Sequence, residues 1–217
     1  MYSLIRRILG PPWRVLKRLA RARQFANGRR RLARFVPPYR IHAGCGTVYF
    51  GGWVNIDLRR DVAAIDLRWD LSRGIPVPDT SCEAVYSEHM LEHLSAEQGL
   101  QFLRECRRGL VPGGVVRIAM PSLDDILEKS VDGRWREQAW LQQPEWRFIA
   151  TRAEMLNIAF RWWGHEWLYD RNELHRRLRE AGFEVIRDVE WGQSDLACLR
   201  NLETRDDSLL ICEAIKT

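Results

Sequence analysis

The chain has 217 residues, 46% hydrophobic and 29% charged, with ten Trp and a formal net charge of +5. That length suits one sizeable core with appendages and excludes a fibre or a disordered tail. No stretch approaches the ~18–20 apolar residues of a membrane span, and the basic start leads into no continuous apolar leader.

The first 38 residues carry eleven Lys and Arg and no Asp or Glu, so the remaining chain is mildly acidic. Within this arm Ile5, Ile8 and Leu9, then Trp13, Leu16, Leu19 and Ala20, recur at helical spacing among the cations. The break at Pro11-Pro12 predicts two short amphipathic helices. Such an arm suits an anionic membrane surface, contacted through residues 1–36, where each basic residue near the lipid is worth ~1 kcal/mol. Docking on the body is the plainer reading, and nucleic acid is disfavoured as a partner. Localisation is expected to be cytoplasmic, peripheral on the inner membrane face. The five cysteines are scattered without C-x-x-C spacing, which predicts free thiols rather than a zinc knuckle or disulfide framework.

After Pro37-Pro38 the texture changes to alternating strands and helices. Strands are expected at Tyr39–Ala43, Val54–Leu58, Ala63–Leu67, Ala84–Ser87, Val115–Met120, Phe183–Val189 and Ser208–Ile215. Helices are expected from near Glu88, over 96–110 and over Asn172–Ala181, with a turn at Val111-Pro112-Gly113-Gly114. This pattern predicts an α/β fold, a mostly parallel seven-stranded sheet with helices on both faces. Residues 131–168 hold six Trp and break the alternation. They read as a lid insertion over the carboxyl edge of the sheet, giving an arm (1–38) and one domain (39–217).

Ligands of such sheets bind beyond the carboxyl ends of the strands. Four loops there are distinctive. Gly44-Cys45-Gly46 allows close backbone approach. Asp57 with Leu58 ends the second strand, where a carboxylate accepts from ribose hydroxyls. Asp70 with Leu71 follows the third, placed for an exocyclic amine and a base, and Ser87-Glu88-His89 ends the fourth. A nicotinamide dinucleotide fits poorly. Tyr49 stands where the third fingerprint glycine belongs, and Asp57 follows Gly46 by eleven residues where that fingerprint needs ~20.

The runs Ile41-His42-Ala43-Gly44-Cys45-Gly46 and Gly51-Gly52-Trp53-Val54-Asn55-Ile56-Asp57 resemble the Rossmann-like S-adenosylmethionine-dependent methyltransferases. The small branch common in polysaccharide and cell-envelope biosynthesis is the most similar. Val85–Leu94, Gly109–Gly114, Met120–Leu123, Gly164–Asp170 and Leu178–Phe183 agree, so the resemblance spans about 39–215. It implies S-adenosylmethionine held by Gly44, Cys45 and Gly46, by Asp57 and Leu58, by Asp70 and Leu71, and by Ser87 and Glu88. His42, also expected among the cofactor contacts, stands where that superfamily often has an acid, and the crossover Thr47–Trp53 is too short for the usual helix.

His89-Met90-Leu91-Glu92-His93 matches H-x-x-E-H, the pattern of inverted zinc proteases, yet it follows a strand in a methyltransferase-like series. Ubiquinone-type O-methyltransferases resemble this stretch and use an acid-x-x-Glu-His set for a divalent ion. His89 replaces the first acid, and no metal is expected. Val36-Pro37-Pro38-Tyr39 lacks the leading amide or acid of amino-methylating enzymes and reads as a linker. For methyl transfer to a hydroxyl, His89 and then His165 are the expected bases, with Glu88 orienting a ligand. Tyr169, Trp163 and Trp167 are the expected contacts to a saccharide or other small envelope acceptor. Two other functions fit the same residues: a non-catalytic scaffold working through the arm, and an RNA methyltransferase using it as a phosphate clamp.

Overall fold

The computed structural model describes residues 12–217, except for the side chains of residues 12–18, 20 and 21. The expected amphipathic segment around Ile5, Ile8 and Leu9 lies outside the described residues. From Pro12 one continuous helix, α1 (Pro12–Leu32), replaces the second short helix and runs on through Gly28. Its C-terminal half docks on the body. Phe25 meets Trp69 edge-to-face at 5.1 Å, Gly28 lies against Pro76 and Trp69, and Leu32 is buried. Leu19 is 61% exposed, and Arg23, Arg29, Arg30 and Arg31 also face solvent. Among the described residues no helix is long and apolar enough to cross a membrane.

Seven strands follow: β1 (Tyr39–Ala43), β2 (Val54–Asp57), β3 (Leu67–Arg68), β4 (Cys82–Glu88), β5 (Leu110–Met120), β6 (Val185–Asp188) and β7 (Leu210–Ile215). The sheet order is β3-β2-β1-β4-β5-β7-β6, parallel except for β7, which runs antiparallel between β5 and β6. The other helices are α2 (Ala96–Gly109), α3 (Leu123–Val131), α4 (Arg152–Arg161) and α5 (Arg171–Glu180).

The period of two along each strand sorts the side chains into two cores. Ile41, Ala43, Val85, Val116, Ile118, Cys212 and Ala214 join one cluster, covered by α2 (Phe102, Leu103, Cys106), α5 (Leu174, Leu178) and Leu32 of α1. Ala84, Tyr86, Val115, Ala119 and Ile211 join the other, with Trp53, Phe50, Leu196 and Leu199. Among the described residues, loops and the 3-10 turn at Ala197–Leu199, and no α-helical residue, contribute to that second cluster. The seven-residue crossover before Trp53 is too short for a helix, and the segment after β6 forms only a 3-10 turn at Ala197–Leu199.

Three local differences have local causes. The chain stays extended through Glu88, and the helix expected there is a 3-10 turn at Leu91–His93. α2 starts only after Ser95, whose side chain caps the Gln98 amide while Gln98 caps the Ser95 amide in return. The expected turn at 111–114 lies inside β5 as a bulge against β4. There a Cβ on Gly114 would lie 2.9 Å from the Val111 carbonyl and 3.1 Å from that of Cys82. The third strand is shorter than expected, two residues after Asp66.

The expected lid has its own small core. Ile126 of α3 packs with Ile149, Met155, Ile158 and Ala159, edged by Trp135, Trp140 and Trp146. Through Ile126 that cluster reaches into α3, ahead of residue 131.

Candidate active site

Between β1 and β4 the strand order reverses, and the loops leaving their carboxyl ends diverge there. A cavity of about 860 Å³ opens at this point, lined on one side by His42, Gly44, Cys45, Gly46 and Asp57. The turn after β1 requires its glycines. Gly44 has φ +75° and a Cβ there would collide with the Met90 side chain. Gly46 has φ +52° and open space where its Cβ would be. Asp57 Oδ2 accepts from the Gly46 amide (2.7 Å) and Oδ1 from the Arg59 amide (2.8 Å). Each oxygen keeps a second lone pair for a ligand hydroxyl. A cradle bare of Cβ beside a carboxylate with spare acceptor capacity fits the methionine end and ribose of S-adenosylmethionine.

His42 stacks on Phe50 at 4.3 Å between centroids and donates from Nδ1 to Asn55 Oδ1 at 3.1 Å. Burial lowers its pKa to about 4, so it lines the cavity as a neutral ring. Burial, aided by Asp57, pushes the Cys45 thiol up to about 12, which removes it as a nucleophile at neutral pH.

The other expected cofactor residues do not line the cavity. Asp70 caps the 3-10 turn Leu71–Arg73, accepting from Ser72 N and Oγ, and pairs with Arg73 at 2.8 Å. Leu71 belongs to the core, Leu58 is 62% exposed, and Ser87 is buried in β4. At that end the wall is Thr47, Val48 and Arg59 instead.

Glu88 lines the cavity, but its carboxylate is already occupied. It accepts from Thr204 N and Oγ1, Arg205 N and Ser208 Oγ at 2.7–3.1 Å, which hooks the 204–208 loop onto β4. Glu88 is thus a positioning residue. Through it Arg205 and Asp207 become part of the cavity wall, and sequence reading missed both. Nothing local in the sequence marks them, because their anchor is more than 110 positions upstream.

His89 adopts φ +48°, an uncommon conformation for a side-chain-bearing residue. Its Nδ1 is 3.6 Å from Glu92 Oε1 and its Nε2 is 3.3 Å from Asp207 Oδ1. Burial, then the nearby Arg205 charge, lowers its pKa to about 3. His165 donates from Nδ1 to the Ala159 carbonyl at 2.8 Å, and its ring lies 4.9 Å from that of His93. Both His93 and His165 face the cavity.

The last wall is aromatic. Trp163 meets Trp140 and Trp146 edge-on, each at 5.1 Å, and all three line the cavity. Of the expected acceptor contacts only Trp163 is there. Trp167 points away, donating to Glu173 Oε1 at 3.1 Å under Arg177. Tyr169 is fully buried against Gly99. Trp140 and Trp146 take their place. Nothing in the sequence singles these two out among the six Trp, because residues 135–146 form three short 3-10 turns with no single period.

A family model described as a methyltransferase domain matches residues 59–118. A protein of Mycolicibacterium smegmatis, described as a probable S-adenosylmethionine-dependent methyltransferase, is 32% identical over 99 residues, 38% of this chain. The chain spans 37% of that relative's length. Among solved structures, a methyltransferase of Archaeoglobus fulgidus superposes with a TM-score of 0.50 at 16% identity, covering 90% of this chain and 94% of its own. One of Thermotoga maritima reaches 0.49 at 14% identity, covering 99% of each. The domain match and the relative's description make this chain similar, over part of its length, to S-adenosylmethionine-dependent methyltransferases, and the sheet has the Rossmann-like order such a likeness implies.

Proposed function

We propose that the protein transfers the methyl group of S-adenosylmethionine to a hydroxyl of a small polar acceptor, a saccharide or a related envelope building block. The observation that carries this reading is the continuity of one cavity. It joins the Gly44–Gly46/Asp57 cradle to a floor of imidazoles and a wall of three Trp. Its volume, about 860 Å³, lies in the upper range of ligand sites and leaves room for cofactor and acceptor together. Edge-on indoles offer apolar faces to a sugar ring, while His89, Asp207 and Arg205 offer polar partners to its hydroxyls.

Bound S-adenosylmethionine supplies an electrophilic methyl on a sulfonium. The chain's own work is alignment, exclusion of water and removal of the acceptor proton. His89 lines the cavity with its Nε2 3.3 Å from Asp207 Oδ1, and this pair is placed to receive that proton. The arm, with eleven cations and no acid in residues 1–38, supports contact with anionic lipid while the reaction proceeds.

Calorimetric titration of the full chain with S-adenosylmethionine tests the reading. Micromolar binding is expected, weakened at least tenfold in Asp57→Ala. Asp57→Asn, which retains an acceptor for the Gly46 amide, falls in between. Absence of heat from folded protein would favour a scaffold that works through its arm. Tight, salt-sensitive RNA binding lost on deleting residues 1–36 would favour an RNA substrate.

A further inference from the structure

Glu92 carries an unexplained carboxyl group. The residue is 1% exposed, and neither Oε1 nor Oε2 has a hydrogen-bond partner. Leaving a buried polar group unpaired costs roughly 1–3 kcal/mol, more when it is charged. Such a group persists where something outside the chain completes it. The potential ligand atoms of Glu92, His93 and His165 all lie within 4.8 Å of one another. Both histidines also line the cavity.

One of the two rings is held as metal-bound imidazoles are held. His165 donates Nδ1–H to the Ala159 carbonyl, which leaves the Nε2 lone pair free. The His93 ring lies beside Gly164, which itself turns at φ +81°, and meets the His165 ring at 4.9 Å between centroids. The Glu166 and Trp167 amides donate to the Glu92 carbonyl at 2.8 and 3.2 Å, tying the His165 loop to the 3-10 turn that bears Glu92 and His93. Backbone bonds thus fix the two segments side by side before any ion arrives.

We propose that Glu92, His93 and His165 form a binding site for a divalent transition-metal ion of the zinc type, with an open coordination position toward the cavity. Two imidazoles and one carboxylate are a donor set for zinc and its neighbours rather than for calcium or magnesium. With bonds of about 2.1 Å, tetrahedral ligand atoms stand about 3.4 Å apart, so the trio contracts by roughly 1 Å on binding. The open position would take the acceptor's hydroxyl oxygen and make its proton easier to lose; that part rests on the methyl-transfer reading. His89 lies outside the trio and stays available for the proton.

A second trio, His175, Asp188 and Cys212, differs in the decisive respect. His175 and Asp188 already satisfy each other at 2.8 Å, and Arg171 adds a contact at 3.4 Å. It serves as the control.

The test uses untagged full-length protein stripped with a chelator. Zinc is titrated in competition with a chromophoric chelator, and cobalt(II) is followed by its visible absorption. One equivalent per chain is expected, with a cobalt band of four- or five-coordinate intensity. Glu92→Gln, close in shape, and His165→Ala should each weaken binding at least tenfold and dim the band, whereas His175→Ala should change neither. No zinc or cobalt binding by the folded wild type, or binding indifferent to both Glu92→Gln and His165→Ala, would overturn the site. If Glu92→Gln fails to fold, the cobalt spectrum of His165→Ala decides alone. A parallel titration of the wild type with S-adenosylmethionine separates the two readings: cofactor binding without metal binding removes the site and leaves methyl transfer standing.

Discussion

His42 shows how a residue's place in the fold overrides its type. It is 3% exposed, stacked on Phe50 and tied to Asn55, so the folded protein holds it neutral down to about pH 4. The unfolded chain takes up a proton near pH 6.5. The folded pKa is the lower one, so this site's contribution to stability is intact above pH 6.5 and is lost as pH falls toward 4. At about 1.4 kcal/mol per pKa unit, the loss approaches 3 kcal/mol. Urea titrations between pH 7 and 4 should show His42→Gln with a shallower acid slope, by up to one proton, than the wild type. At this same scale the place of Gly44, Gly46 and Asp57 on the cavity wall was legible in the sequence, because a positive φ or a strand-end acid is a local demand. The fate of Asp70 was not. A carboxylate can serve a ligand or cap the turn that follows, and Ser72, two positions on, takes it for the turn.

At the scale of elements, β4 does more than add a rung to the sheet. Its last residue, Glu88, gathers four donors from the 204–208 segment and so brings chain from beyond β6 to the site. Glu88→Gln turns one acceptor oxygen into a donor facing donors. With charge-assisted bonds worth about 1.5–3 kcal/mol, a loss of that order is expected. Amide exchange at Thr204 and Arg205 should accelerate while β1 amides stay protected. Strands β1, β2, β4, β5 and β7 were readable from apolar runs ending at turn residues. The boundary of α2 was also present, in Ser95 and Gln98, but the apolar run Met90-Leu91 mimics a helix start. The elements of residues 135–146 resisted reading for another reason: three short 3-10 turns stitched by indole edges have no period to detect.

Across the whole molecule, the sheet face that carries the second cluster is fastened by charge. Arg117, in the middle of β5 and fully buried, donates to Glu203 at 2.6 Å and to Glu213 of β7 at 2.8 Å, and caps the Gln193 carbonyl at 2.7 Å. Glu203 in turn accepts from the Gly192 amide. Removing one partner strands the buried acids, so Arg117→Met should destabilise by about 3–5 kcal/mol. Chemical denaturation should show this with little change in m-value. An alternating strand with one inward Arg gives no warning of such a device. Only the pairing of Arg117 with Glu213 across β5 and β7 brings the charges together.

The lid's apolar cluster has a consequence for the cavity wall. Ile126, Ile149, Met155 and Ile158 pack against one another in a cluster separate from those of the strands. A substitution such as Met155→Ala is therefore expected to loosen the aromatic wall of the cavity and leave the sheet's own two clusters intact, which amide exchange on β1 and β4 would show as unchanged protection.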